Sequence, residues 1–318
     1  MKRALAALFL AMLAGVAVAQ EPWPSRPVRI VVPYTPGTGA DILARVLGPK
    51  LAERWKAAIV TDNKPGATGN IGADFAAKSA ADGYTLLLTA TSFTTNPALK
   101  PAPFDPVNDF APIALLATGA LGVYINPAVP AQNMREFVAL VKSQPGRLYY
   151  SSPGNGGPQH LAMELLKLDT GMDIIHVPYK GAAGAITDLV GGQVQAMISA
   201  LQTVAPHVKS GRLRMLAVMS SHRAEAFPSV PTLREAGLPE LEVETWYAIF
   251  APAGTPTAIL GRVNRDANEL LKEADVREVL AKQGLEPAGG TPEALGARVK
   301  RDLANWTRVV KAAGIKAD

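Results

Sequence analysis

Two glycine-rich turns hold the residue types from which an anion site can be built. The first reads Tyr34-Thr35-Pro36-Gly37-Thr38-Gly39-Ala40-Asp41 and the second Gly154-Asn155-Gly156-Gly157-Pro158. Each follows a short apolar run and precedes a helical pattern. The first N–H groups of a helix have no intrahelical partner, and the helix dipole puts partial positive charge there. Glycine lets an anion come close to that backbone. Two such turns facing each other across a cleft would grip a carboxylate without an arginine. Asp41 reads as a first-turn acid favoured by the dipole rather than as a catalytic group. His160 falls in the first turn of its helix, where an imidazolium is disfavoured, so it reads as a neutral hydrogen-bonding group rather than a metal ligand.

Other chemistries are missing from the chain. It has no G-x-x-x-x-G-K-[ST], no G-x-S-x-G and no H-E-x-x-H, the signatures of a P-loop, a nucleophile elbow and a zinc protease. The turn at Thr38 to Asp41 lacks the third glycine and the later acid of a dinucleotide fingerprint. There are 4 histidines without metal-ligand spacing and 0 cysteines, which removes thiol nucleophiles and thiolate metal sites. The expectation is a binding protein, not an enzyme, with no cofactor and no metal. The competing enzyme reading would pair Asp41 with His160 as acid and base.

The elements that position the turns follow an α/β grammar. The β-branched run 28–32 reads as a buried strand, and Leu43, Val46, Leu47, Leu51 and Trp55 place a helix over 40–55. A strand at 58–61, a glycine-rich turn at 63–70, a helix at 71–79 and a strand at 84–89 continue the alternation, which implies parallel βαβ units. Residues 97–112 read as a proline-rich loop, with strands at 113–116 and 122–126 beyond it. A second unit runs from a helix at 134–143 to a strand at 215–219. The chain then returns through an extended run at 242–250 to helices over 256–272, 275–283 and 292–313. The halves are therefore interleaved. Domain 1 is expected over 20–119 and 246–318, domain 2 over 120–245, with a two-strand hinge near 119–121 and 245–248 and the C-terminal helices packed on domain 1.

Of the 318 residues, 48% are hydrophobic and 19% charged, enough for two cores and too apolar for disorder. Lys2 and Arg3, an apolar run to Val18 and the Ala17-Val18-Ala19 site read as a signal peptide over 1–19, cleaved before Gln20. The formal charge is +5, with basic residues interleaved among acidic ones, which is a solvated face and not a nucleic-acid stripe.

An ordered set of segments resembles one family over nearly the whole mature chain. They are Trp23-Pro24-Ser25-Arg26-Pro27-Val28-Arg29-Ile30-Val31-Val32-Pro33, Asn63-Lys64-Pro65-Gly66-Ala67 and Asp82-Gly83-Tyr84-Thr85-Leu86-Leu87. His176-Val177-Pro178-Tyr179-Lys180-Gly181, Val230-Pro231-Thr232, Ala251-Pro252-Ala253-Gly254-Thr255-Pro256 and Gly289-Gly290-Thr291-Pro292-Glu293 follow. On these the chain resembles the Bug family, the extracytoplasmic solute receptors of tripartite tricarboxylate transporters.

The resemblance implies a two-domain α/β type II periplasmic-binding-protein fold that closes on its ligand, and two loops that pinch a carboxylate. It assigns Tyr34, Thr35, Gly37, Thr38, Gly39 and Asp41 to the first loop. Ser151, Ser152, Gly154, Asn155, Gly156, Gly157 and His160 fall in the second, with Tyr179, Thr91, Ser92 and Ser199 lining the rest. The sequence departs from the family pattern at Thr35, at Thr38 and at Gly157, where a proline, a glycine and a serine are usual. The expected ligand is a small mono-, di- or tricarboxylate, aromatic acids included, and the expected partners are transporter membrane subunits. A periplasmic monomer is expected. A receptor that feeds a sensor kinase would bind its ligand in the same way.

Overall fold

The run Val28–Val32 (β1) alternates its side chains between two helical layers, as a strand buried on both faces must. Val28, Ile30 and Val32 pack with Leu43, Leu47, Leu51 and Trp55 of the helix Gly39–Trp55 (α1), while Val31 faces Leu87, Phe93 and Phe250 on the other side. The computed structural model describes residues 23–239 and 243–313; the expected signal peptide lies outside them. No described helix is long and apolar enough to cross a membrane.

In the first half of the sheet β1 lies parallel to Ile59–Asn63 (β2) and to Thr85–Ala90 (β3), with Val28 opposite Ile59 and Arg29 opposite Thr85. The next neighbours are two long antiparallel strands, Phe110–Ile125 (β4) and Glu244–Pro252 (β9), with Leu87 opposite Phe250 and Gly119 opposite Thr245. Beyond Ala120, β4 leaves β9. From Leu121 onward it pairs with Ala196–Ala200 (β7), and from Gly122 with Arg214–Val218 (β8). Tyr149–Ser152 (β5) and Ile175–Pro178 (β6) run parallel beside β7. One strand thus threads both halves, and β9 brings the chain back. Two further cores flank this second half, one around Leu121, Val123, Ile125 and Phe137, the other around Tyr124, Met197 and Met215.

Three findings differ from the expectation. The strands expected at 113–116 and 122–126 are one 16-residue strand; the small residues Thr118, Gly119 and Ala120 interrupt the apolar pattern but not the pairing. Part of the expected proline-rich loop is the helix Ser92–Leu99 (α3), with Pro97 inside it. It forms because Phe93 is locked among Phe104, Phe110 and Phe250 at centroid distances of 5.4, 5.0 and 4.8 Å, so packing overrides weak helix propensity. The last helix, Pro292–Ala313, does not rest on the first half alone. At 22 residues it spans about 33 Å, and Trp306 packs against the core around Leu121 and Phe137.

The remaining helices are Asn70–Ala77 (α2), Met134–Ser143 (α4), Pro158–Thr170 (α5), Ala182–Val190 (α6), Leu201–Lys209 (α7), Thr257–Leu270 (α8) and Ala274–Lys282 (α9). Pro292–Ala313 is α10, and a short strand, Leu285–Pro287 (β10), pairs with β4.

Candidate functional site

The carboxyl ends of β1, β3, β5, β6 and β7 open on one cavity between the two halves of the sheet, the place where open α/β sheets hold ligands. It is a recess open to solvent rather than an enclosed void. Tyr34, Thr35, Thr38, Thr68, Thr245 and Tyr247 line it from the first half, and Pro158, Gln159, Lys180, Ser199 and Thr203 from the second.

Six helices begin at its wall. Thr38 and Gly39 start α1, Gly69 precedes α2, Ser92 starts α3, Pro158 starts α5, Gly181 and Ala182 start α6, and Ala200 precedes α7. None of the six has a side chain capping its first N–H groups. Of the four described helices elsewhere, α8 and α9 also lack one, and two are capped. In α4, Asn133 Oδ1 accepts from the Glu136 N–H at 3.0 Å, and in α10, Thr291 Oγ1 accepts from the Ala294 N–H at 3.2 Å. The cavity is therefore surrounded by helix starts that lack a side-chain cap, each adding partial positive potential, although the first two N–H groups of α2 already donate to Ala67 O and Gly66 O. Lys180 is the one cationic side chain lining it among the described residues, and it is exposed.

The aromatic walls are fixed from behind. The Tyr34 hydroxyl sits 2.9 Å from Thr89 Oγ1 and 2.7 Å from Ser92 Oγ, and it accepts from the Ala90 N–H at 3.0 Å. Burial pushes its pKa up despite these bonds, so it stays neutral and its ring cannot swing. Tyr247 is buried, and its hydroxyl accepts from Gln202 Nε2; burial raises this phenol too. A Cβ at Gly39 would lie 2.6 Å from both Gln202 Nε2 and the Tyr247 hydroxyl, so the approach of α1 to this pair requires glycine there. Two cavity hydroxyls, Thr35 Oγ1 and Thr245 Oγ1, are buried without a partner among the described residues. Buried polar atoms ordinarily have one.

Of the residues singled out from sequence, Tyr34, Thr35, Thr38, Gly39, Ser92 and Ser199 come together on the cavity wall. Gly37, Asp41 and Thr91 stand behind it. Asp41 accepts from Gly37 N–H at 2.9 Å, from Arg45 Nε at 2.9 Å and from Asn63 Nδ2 at 3.0 Å. Burial alone would raise its pKa, but these bonds and the Arg45 charge hold it below the usual carboxylate range. The paired Asp41 then cancels little of the positive potential at the start of α1. Thr91 Oγ1 accepts from the Trp246 N–H of β9 at 2.8 Å.

The second loop is bonded mostly to itself. Ser151 Oγ donates to Ala185 O at 3.3 Å, and Ser152 Oγ lies 3.0 Å from Gly154 O and 2.6 Å from His176 Nε2. The Gly156 N–H donates to His160 Nδ1 at 3.1 Å, which makes Nδ1 an acceptor and leaves the proton on Nε2. His160 stacks on His176 with centroids 4.0 Å apart. Burial, followed by the neighbouring His160 ring and Lys167, pushes His176 down to about 3. Asp41 and His160 are thus each held within their own half of the protein and do not form a pair.

Gly154, Asn155 and Tyr179 line an outer cleft beside the cavity. Tyr179 donates to Asp188 Oδ2 at 2.5 Å, and burial together with that carboxylate pushes its phenol up to about 12. Gly156 and Gly157 press against Leu99 and Thr68 across the cleft.

Sequence reasoning passed over Thr68, Lys180, Thr203, Thr245 and Tyr247. For two of them the signal was present. Residues 66–69 and Gly181 also sit between a strand and a helix, the same grammar as the two turns that were selected.

The family model described as "Tripartite tricarboxylate transporter family receptor" matches residues 43–315. Protein BugT of Bordetella pertussis is 37% identical over 318 residues, covering 98% of this chain and 97% of that protein. Among solved structures, R. palustris Rpa4515 with adipate superposes with a TM-score of 0.89 at 35% identity, covering 92% of this chain and 99% of that one. MatC of Rhodopseudomonas palustris with bound malate superposes with a TM-score of 0.85 at 30% identity, covering 91% and 100%.

Proposed function

The chain belongs to the tripartite tricarboxylate transporter receptor family, and from that premise we propose that its cavity captures a small organic carboxylate for such a transporter. The observation that carries this reading is the ring of six uncapped helix starts around a wall whose one charged side chain among the described residues is the cation Lys180. Such a wall favours an anion whose oxygens accept several N–H bonds at once. The buried, unpartnered hydroxyls of Thr35 and Thr245 supply further donors. The bound malate and adipate of the two solved relatives fall in this class.

In the proposed mechanism residues 20–119 with 246–318 form one closing unit and residues 120–245 the other. They swing where β4 passes from β9 to β7. A ligand touching both units interacts better with the closed state and shifts the population toward it. The closed surface is what the membrane subunits recognise. No bond is made or broken in the ligand. Asp41 and His160 are committed to framing their own loops. Residues 1–19 direct export to the periplasm, where the protein acts as a monomer.

Thermal unfolding of the chain from Gln20 tests this against mono-, di- and tricarboxylates, amino acids and the corresponding amides. A ligand that binds only the folded state raises the midpoint as its concentration exceeds Kd. A rise with one acid that its amide does not produce is expected. Equal shifts with acid and amide, or none across the panel, would overturn the carboxylate reading.

A further inference from the structure

The inner cavity and the outer cleft lie side by side, and only Thr68 and Lys180 line both. Thr68 and Lys180 therefore stand where the two meet. Lys180 is long and exposed. Thr68 is half-buried, and it is held in place from three directions.

Its backbone is in the left-handed region, φ 53° and ψ 32°, directly after Ala67 at φ 46°. A β-branched residue with positive φ is a genuine outlier that persists only when its surroundings impose it. Asn96 does so from below. Its Nδ2 donates to Thr68 O at 3.0 Å and to Asn70 Oδ1 at 2.8 Å. From across the cleft, Asn155 O accepts the Thr68 hydroxyl at 3.2 Å. Two glycines make room for it there. A Cβ at Gly154 would lie 3.5 Å from Thr68 Cβ and collide with its hydroxyl, and one at Gly157 would lie 3.2 Å from its methyl.

We propose that Thr68 is the specificity-determining residue that ends the ligand cavity and so sets the length of acid it accepts. This rests on the carboxylate reading above. One end of the acid is anchored at the helix starts. The other end points along the cavity and stops at Thr68, beyond which the outer cleft would have room for several more carbons. Glycine at 68 suits the left-handed backbone, relieves its strain and removes the partition. Valine keeps the partition and the strain but loses the hydroxyl.

The test is calorimetric titration with the linear α,ω-dicarboxylates from succinate to suberate, on the wild type, Thr68→Gly and Thr68→Val. Each methylene newly buried is worth about fourfold in affinity. Thr68→Gly is therefore expected to improve suberate binding relative to succinate by about tenfold or more. Thr68→Val should keep the wild-type ranking while weakening every acid by about three- to tenfold through loss of the cross-cleft hydrogen bond. An unchanged ranking in Thr68→Gly, with the wild type binding some of the acids, would overturn the partition and leave the carboxylate reading standing. Failure of both the wild type and Thr68→Gly to bind any acid of the series would overturn the partition, and the carboxylate reading with it where the wider panel of acids also fails.

Discussion

The turn after β1 and the turn after β5 occupy equivalent places, each between a parallel strand and a long helix, yet they use their polar groups differently. In the first, Tyr34, Thr35, Thr38 and Gly39 face the cavity, because the framing is done from outside by Asp41, Arg45 and Asn63. In the second, Ser151, Ser152 and His160 do the framing themselves, and only Pro153, Pro158 and Gln159 reach the cavity. One sequence grammar thus yields a ligating turn and a framework turn. What separates them is where the supporting hydrogen bonds come from. The framework turn also presents Gly154, Gly156 and Gly157 to Thr68 and Leu99, so its small residues serve contact between the halves.

The glycines offer the largest test of this contrast. Gly39→Ala places a methyl 2.6 Å from Gln202 Nε2 and the Tyr247 hydroxyl. It should cost about 1–3 kcal/mol of stability and at least about tenfold in affinity, read by denaturant unfolding and titration. Gly157→Ala has an ordinary φ of −69° and meets only side-chain ends closely, the Thr68 methyl at 3.2 Å and Gln159 Oε1 at 3.3 Å. Its stability loss should stay below about 1 kcal/mol. Equal losses at the two sites would remove the distinction.

Serines give the next largest effect. Ser199→Ala, at the cavity wall, should weaken binding about three- to tenfold and leave the unfolding midpoint nearly unchanged. Ser151→Ala, whose hydroxyl donates to Ala185 O, should reverse the pattern, losing about 1 kcal/mol of stability with unaltered affinity.

The framework turn should also carry a pH signature. His176 is pushed down to about 3 in the fold, against about 6.5 in an unfolded chain. Below the latter value the unfolded state takes up the proton first, so stability is complete above it and falls as the pH drops toward 3. His176→Gln removes this contribution. The difference in unfolding midpoint between variant and wild type should shrink between pH 7 and pH 5, and a constant difference would exclude the coupling. The smallest effect is expected for Thr38→Ala. Its hydroxyl donates to Thr35 O at 3.1 Å, so losing it should loosen the ligating turn and weaken binding about two- to threefold.

Much of the fold was legible because periodicity carries it. The runs around β1, α1, β3 and α6 are apolar with clear breaks, and the structure has the elements there. Helix α3 was hidden because Ser92, Thr94, Thr95 and Asn96 carry no apolar period and the proline-rich loop reads from 97, whereas the helix is held by Phe93, whose partners lie at 104, 110 and 250. The site was legible to the extent that glycine marks a strand-to-helix turn. Which hydroxyls face the cavity was not legible, because Ser151 and Ser199 look alike in sequence and differ only in whether Ala185 O stands nearby. Thr245 and Tyr247 arrive on β9, more than 150 residues beyond Thr91, to which the neighbouring Trp246 is bonded. No local pattern connects them.

The central claim is that helix starts, not a cationic side chain, hold the carboxylate. The direct test is calorimetric titration of the acid that raises the midpoint most, and of its amide, on the wild type and on Lys180→Met. The account predicts that the acid binds both proteins within about threefold, and that the amide binds neither. Loss of acid binding in Lys180→Met, or equal binding of acid and amide, would contradict it.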